Sequence, residues 1–356
     1  MTAAGTENLI RSQQRLPRLA FVGVGWIGIH RLESIAEAGV AKVAAVCDVR
    51  APQHEAIAGI PFFDSYEDML EQSFDGVVIA TPNALHAEQA IAALQVGMPV
   101  FCQKPLGRNA YETANVVKAA HAADCLLGVD LSYRFIPGMQ RIREVIRGGE
   151  LGRVFAVDLK FHNGYGPDKP WFFDRRMAGG GCLLDLGIHL LDLACWSIES
   201  DEITEAQARR FSKGELITSA DQDVEDYAAV ELRTLDDVVI NLQCSWNLNL
   251  GMEAQIELAF YGTKGGAALR NVNGSFFDFK AEQFTGTTSK SLSTAEDSGW
   301  KWGGLAAIDW CRRLAVDPTF DPGISSIVTV AEVIDRIYAL PKSERRQSRA
   351  AAMVAL

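Results

Sequence analysis

From residue 18 to residue 131 the chain repeats one pattern, a short apolar run followed by an amphipathic stretch. The runs lie at 18–24, 42–47, 76–80, 100–102 and 126–131, and the stretches at 27–38, 66–72, 85–96 and 110–123. Two of the stretches stop at a glycine, Gly39 and Gly97, as helices commonly do. Strands that are apolar throughout have no wet face, so they belong in a parallel sheet with helices on both sides. The pattern predicts an α/β, doubly wound parallel sheet over residues 17–131.

After Asp130 the grammar changes. One helix is expected at 136–148. Long strands of alternating polarity follow at 153–162, 205–211, 226–233, 238–246 and 255–261. A helix at 182–197 is reached through Gly179-Gly180-Gly181, and helices at 305–314 and 326–340 close the pattern. Alternation implies one buried face, so residues 132–340 are expected to form an α+β unit with a large open, mostly antiparallel sheet. The segments 1–16 and 341–356 read as flexible tails.

Composition narrows the partners. The 356 residues are 48% hydrophobic, enough for a sizeable core, and the net charge is −11. Nucleic acid and anionic membranes reward a basic face, so neither is expected as a partner. The seven cysteines are scattered and never spaced C-x-x-C, which suits reduced thiols in a cytoplasmic chain. The first residues show no apolar core of a signal segment.

The glycine-rich turn is the first feature that carries chemistry. Gly23-Val24-Gly25-Trp26-Ile27-Gly28 is a G-x-G-x-x-G that follows the first strand and opens the first helix, the context the motif requires. Gly23 allows the tight turn, Gly25 lets a pyrophosphate approach the backbone, and Gly28 lets helix and strand pack closely. Trp26 and Ile27, inside the loop, serve packing or cofactor contact. Asp48 ends the second strand, where a carboxylate accepts hydrogen bonds from ribose hydroxyls and repels a 2′-phosphate. NAD is therefore expected over NADP, with Arg50 nearby as the residue that weakens the preference.

Two segments end later strands of the same sheet: Thr81-Pro82-Asn83-Ala84-Leu85-His86 and Cys102-Gln103-Lys104-Pro105. Ligands bind at the carboxyl ends of such strands, so Thr81, Pro82, Asn83, His86, Gln103 and Lys104 are candidate cofactor contacts. Further on, Asp185 and His189 stand four apart on the expected helix and would share a face. No third or fourth ligand joins them, so no metal site is expected.

Taken in order, these motifs resemble the glucose–fructose oxidoreductase, inositol dehydrogenase and rhizopine-catabolism family (Gfo/Idh/MocA). The resemblance runs from Leu19 to about residue 340. It rests on the glycine loop, T-P-x-x-x-H at 81–86, the E-K-P position at Gln103-Lys104-Pro105, and G-G-x-x-x-D-x-G-x-H at 180–189. It implies a Rossmann unit, an α+β substrate-binding and oligomerisation unit, and redox chemistry on sugars or cyclitols. It also implies a catalytic set of Lys104, Asp185 and His189, with Tyr133-Arg134 where the chain leaves the Rossmann unit. The departure is Gln103, where the family carries a glutamate.

The roles implied make chemical sense. Oxidation of a secondary alcohol needs a base for the hydroxyl proton, and histidine suits it near neutral pH. His189 is assigned that task, Lys104 the stabilisation of the substrate oxygen, and Asp185 the orientation of substrate or histidine; the lysine is the alternative proton acceptor. His162, Trp171 and Arg176 join Lys104, Tyr133, Arg134, Asp185 and His189 as candidate substrate contacts. Aromatic rings with polar neighbours suit sugar faces and hydroxyls, while Lys169, Arg175 and Arg176 suit an anion. Trp246 and Asn247 are further candidates. The competing functions are an NAD-dependent glycoside hydrolase working by oxidation and elimination, and a nucleotide-binding sensor without turnover. Self-association into a homodimer or homotetramer is expected of a large sheet with a free face.

Overall fold

The computed structural model describes residues 15–51, 53–200, 202–218, 224–297 and 300–339. The expected tails lie outside them, apart from Leu16 and Arg15, which pairs with Asp75 at 2.8 Å.

Six strands form the first sheet, β1 (Arg18–Val22), β2 (Lys42–Cys47), β3 (Phe62–Phe63), β4 (Gly76–Ile79), β5 (Val100–Cys102) and β6 (Leu127–Val129). Every pairing is parallel and the order is β3-β2-β1-β4-β5-β6. Leu19 to Val22 and all of β4 and β5 are buried, which is why these strands carry no alternation. Helices α1 (Trp26–Ala38), α2 (Tyr66–Leu70), α3 (Asn83–Gln95) and α4 (Ala110–Ala123) make the crossovers. Strand order reverses between β1 and β4, so the ligand crevice of this sheet opens at their carboxyl ends. The two-residue β3 was not anticipated, because an edge strand that short leaves no periodic signal.

The second sheet has nine strands: β7 (Val154–Asn163), β8 (Ile203–Ser212), β9 (Glu215–Leu216), β10 (Tyr227–Thr234), β11 (Val239–Ser245), β12 (Ala254–Gly262), β13 (Gly266–Asn271), β14 (Phe279–Thr285) and β15 (Thr288–Ser293). Their order is β15-β14-β13-β12-β7-β11-β10-β8-β9, and only β7 and β11 run parallel. The strands β13 to β15 lie beyond those expected. Most of β15 is exposed and polar, as an edge strand is, so it reads in sequence as loop. Helix α5 (Pro137–Arg147) packs on β13, β14 and β15. After the short α6 (Arg175–Ala178) comes a π-helical turn, Leu183–Gly187, which runs into α7 (Ile188–Ile198) and packs on β11. The stretch Arg175–Ile198 is long and apolar enough to cross a membrane, but 83% of its apolar window is buried inside the fold.

The chain then returns. Helix α8 (Leu305–Leu314) packs on α1 and on the first sheet, and α9 (Ser326–Ala339) lies along α4 and α7. The Trp310 ring sits 5.7 Å from that of Phe101. A Cβ on Gly76 or Gly128 would stand 2.7 or 2.6 Å from it, so two glycines of the parallel sheet make room for a residue from the far end of the chain. A division in chain order at 131/132 thus leaves α8 on the other side of the boundary from the sheet it covers.

Candidate active site

The glycine loop sits at the reversal point of the first sheet. Gly23 has φ +81°, and a Cβ there would stand 2.6 Å from the Ala80 carbonyl at the end of β4. A Cβ on Gly28 would stand 2.1 Å from the Gly23 carbonyl oxygen. Neither position accepts another residue without moving backbone. Gly25 caps α1 with no side-chain hydrogen bond, so the amides of the first turn are left for a ligand. This cradle fits a dinucleotide pyrophosphate. Asp48 takes one contact within the loop, accepting from Val24 N at 2.9 Å. Trp26 is 72% exposed beside the loop, Ile27 is half-buried, and Arg50 is exposed.

The next two strand ends are tied together. His86 is buried with Nδ1 and Nε2 each 2.7 Å from a carbonyl oxygen, of Pro105 and Thr81. Burial, offset in part by those carbonyls, lowers its pKa. His86 thus holds two turns together. Thr81 donates to Gln89 at 2.6 Å, Pro82 caps α3, and Asn83 donates to the Ala178 carbonyl at 2.9 Å, reaching toward the segment that carries Asp185. The Lys104–Pro105 peptide is cis.

At the end of β5 the chain meets the π-helical turn. Lys104 Nζ donates to Asp185 Oδ1 at 2.6 Å and to the Asp185 carbonyl at 2.8 Å. Trp246 Nε1 donates to the other carboxylate oxygen of Asp185 at 3.1 Å. Asp185, expected to orient the substrate or His189, bonds Lys104 and Trp246 rather than the histidine among the described residues. The π turn breaks the regular four-residue spacing, and both oxygens of Asp185 are engaged by Lys104 and Trp246. His189 lies one turn on, buried, with its ring 4.7 Å from that of Tyr133 and, among the described residues, no hydrogen-bond partner for its Nδ1. Burial first, then the positive charges of Lys104 and Arg31, hold its pKa well below the usual 6.5, so the imidazole is neutral at pH 7.

Gln103 points the other way. It donates to the buried Asp130, which also accepts from Ser132 and pairs with Arg31 at 2.5 Å. A glutamate at 103 would set a second carboxylate against Asp130, so glutamine is the residue this surrounding takes.

Lys104, Asp185, His189, Tyr133 and Trp246 therefore converge. The remaining candidates are spread around them. Trp171 stacks on Phe172 at 3.8 Å, and Phe172 and Phe173 meet the edge of Trp246 at 6.2 and 5.9 Å. His162 is buried on β7, bonded to Ser245 at 2.8 Å and stacked on Tyr227. Arg134 pairs with the buried Asp192 through two hydrogen bonds and lies 5.4 Å from the Trp196 ring. Breaking such a pair costs about 3–5 kcal/mol, so Arg134 is committed to the fold. Arg176 has 91% of its side chain exposed and pairs with Asp174; it is remote from the cluster in bonding terms.

What places Asp185 was not read from the sequence. Glu225, fully buried, accepts from Gly181 N (3.0 Å), Leu183 N (3.1 Å) and the Tyr338 hydroxyl (2.8 Å). Burial pushes its pKa up against those donors. A Cβ on Gly180 would stand 2.0 Å from the Tyr338 hydroxyl, and one on Gly181 1.9 Å from the Glu225 carbonyl oxygen. The glycine run exists so that Glu225 and Tyr338 can grip the start of the π turn.

A doubly wound sheet with a dinucleotide cradle and a lysine at one of its strand ends, joined to a large open sheet whose packed π turn and helix bring a carboxylate and a neutral histidine to that lysine, fits a nicotinamide-dependent oxidoreductase. Residues 17–131 match the model of an oxidoreductase family with an NAD-binding Rossmann fold, and residues 139–268 that of the GFO/IDH/MocA C-terminal domain. An oxidoreductase subunit of Amycolatopsis mediterranei (strain S699) is 30% identical over 78% of this chain and 81% of its own length. D-glucoside 3-dehydrogenase of Escherichia coli (strain K12) is 26% identical over 71% of this chain and 76% of its own. Among solved structures, levoglucosan dehydrogenase in complex with NADH and L-sorbose superposes with a TM-score of 0.77 at 20% identity, covering 91% of this chain and 96% of that one. The chain belongs to the GFO/IDH/MocA oxidoreductase family.

Proposed function

We propose that this oxidoreductase uses NAD to oxidise a secondary alcohol of a sugar, a sugar derivative or an inositol-like cyclitol, and runs the reverse reduction. The observation that carries the reading is the pairing of Lys104 with Asp185 at 2.6 Å, at a strand end two strands from the glycine cradle on the same edge of the sheet, with a neutral His189 one turn away. NAD bound in the cradle supplies the hydride acceptor.

His189 accepts the hydroxyl proton on its imidazole, which its surroundings keep unprotonated. Lys104, positioned by two contacts to Asp185, donates to the substrate oxygen and stabilises charge developing there. Asp185 aims Lys104, and Trp246 aims Asp185. The aromatic cluster of Trp171, Phe172 and Trp246 supplies a sugar-sized apolar wall. Asp48 favours NAD over NADP, because a carboxylate repels a 2′-phosphate. The exposed face of the nine-stranded sheet supports a homodimer or homotetramer, read by light scattering.

The test is a panel of aldoses, polyols, cyclitols and glycosides offered with NAD and with NADP, monitored at the NADH absorbance. NADH formation on at least one sugar or cyclitol, faster with NAD, is the expected result. Flat traces with both cofactors across the panel, in a protein that binds NADH, overturn simple dehydrogenation and favour the glycosidase or sensor alternatives.

A further inference from the structure

One cation reaches the glycine loop, and it comes from the other half of the molecule. Lys169 lies just before the 3-10 turn Pro170–Phe173. Its Nζ stands 3.6 Å from where a Cβ on Gly25 would be, so the ammonium rests against the loop that the pyrophosphate is expected to approach. Among the described residues no carboxylate or carbonyl holds it. The other cations of this segment are committed: Arg175 lies 4.9 Å over the Tyr338 ring, and Arg176 pairs with Asp174.

The segment behind Lys169 is anchored to the catalytic cluster. Pro170 starts the turn, Trp171 stacks on Phe172, Phe172 and Phe173 abut Trp246, and Trp246 bonds Asp185. Lys169 is thus the free end of a chain of contacts that begins at Asp185.

We propose that Lys169 clamps the pyrophosphate of the dinucleotide from the side opposite the loop amides, so that the substrate-binding half grips the cofactor held by the Rossmann half. The proposal rests on the NAD reading above. The chemistry is that of an ammonium meeting two phosphate charges. The loop and the α1 terminus offer amides and a partial positive charge on one face, and Lys169 adds a full charge on the other. In a chain of net charge −11, long-range attraction does not favour a dinucleotide, which leaves this local charge the greater share of the task.

The experiment is fluorescence titration of the whole chain with NADH, ADP and adenosine, in wild type, K169M and K169R, at low and high salt. We expect K169M to weaken NADH and ADP by about 10- to 100-fold, the usual effect of removing one charge-assisted hydrogen bond to phosphate. Adenosine, which has no phosphate, binds alike in all three. K169R recovers most of the loss, and the salt dependence of NADH binding flattens in K169M. NADH affinity in K169M within twofold of wild type overturns the clamp while leaving the dinucleotide site intact, and equal weakening of adenosine overturns it too. A wild-type chain that binds neither NADH nor ADP overturns the NAD reading and the clamp with it.

Discussion

Two glycine runs shape this protein, and they are glycine-rich for different reasons. In Gly23–Gly28 the groups a side chain would strike are close kin: the Ala80 carbonyl on the neighbouring strand and the Gly23 carbonyl five residues back. In Gly179–Gly181 they are strangers: Arg108, then the Tyr338 hydroxyl, then the Glu225 backbone. The first run keeps a loop open for a ligand. The second lets remote parts of the chain close on the segment that carries Asp185. One failure should therefore appear in cofactor binding and the other in turnover.

The strongest test of that division lies where the two regions meet. Lys104 belongs to the first sheet and its partner Asp185 to the second run. Lys104→Ala and His189→Ala are each expected to lower kcat on the order of 10²–10⁴-fold while NADH affinity stays within about threefold. Rapid-quench or steady-state rates beside NADH titrations check this. Wild-type turnover in either variant removes that residue from the proposed chemistry, and a matching loss of NADH binding would place it with the cradle instead.

Next come the glycines themselves. Gly28→Ala forces a methyl to 2.1 Å from a backbone oxygen, and Gly181→Ala forces one to 1.9 Å from another. Gly28→Ala is expected to abolish NADH binding. Gly181→Ala should leave NADH binding nearly intact and lower kcat on the order of 10²-fold, the scale of an ångström-sized misplacement of catalytic groups. Glu225→Gln keeps the shape, drops the charge and acts in the same direction by less. Both glycine variants losing binding and turnover together would erase the distinction between the runs.

That distinction also explains what could be read before the fold was known. The cradle was legible because each of its constraints is local: a strand, a turn, a helix start and Asp48 at a fixed offset. The five longer strands of the first sheet and its helices followed from unbroken apolar runs alternating with helical spacing. Lys104, Asp185 and His189 were legible through motif order and resemblance, since no local rule brings a strand end and a helix together. The lysine–carboxylate pair was not foreseen, nor the π turn that separates Asp185 from His189, because five residues are too few to show a change of period. Glu225 stands among the acidic residues just before the expected strand at 226–233, where nothing marks it for burial. Arg31 and Asp130 look equally like surface charges until folding buries them against each other. Charge gives no sequence signal of burial, and all of these residues find their partners far along the chain. Arg134 and Arg176 differ in the opposite sense: both suit a substrate chemically, and the fold gives each an aspartate partner that the sequence does not announce.

The smallest expected effect bears on both regions at once. His86 beside the cradle, His189 beside Lys104 and His162 on β7 are all buried and burial lowers the pKa of each, with His162 brought down to about 4 by burial and then by Lys160. A folded-state pKa below the unfolded 6.5 means that the unfolded chain binds protons the native chain refuses. The stability these residues lend is fully present above pH 6.5 and is lost progressively as pH falls toward the folded value, about 4 for His162. At pH 5.5 the loss from His162 alone is roughly 1 kcal/mol, a shift of a few degrees in Tm. Thermal melts at pH 7.5 and 5.5 check the sign, and His162→Asn, which cannot titrate, should melt with a shallower pH dependence than wild type. Activity should part company with stability here: if the neutral imidazole of His189 is the base, kcat loses nothing between pH 7.5 and 6.5 on the acid side. A steep fall of kcat across that interval would mean that the base titrates there, against the lowered His189, and its absence from His189→Ala would show whether that base is the histidine.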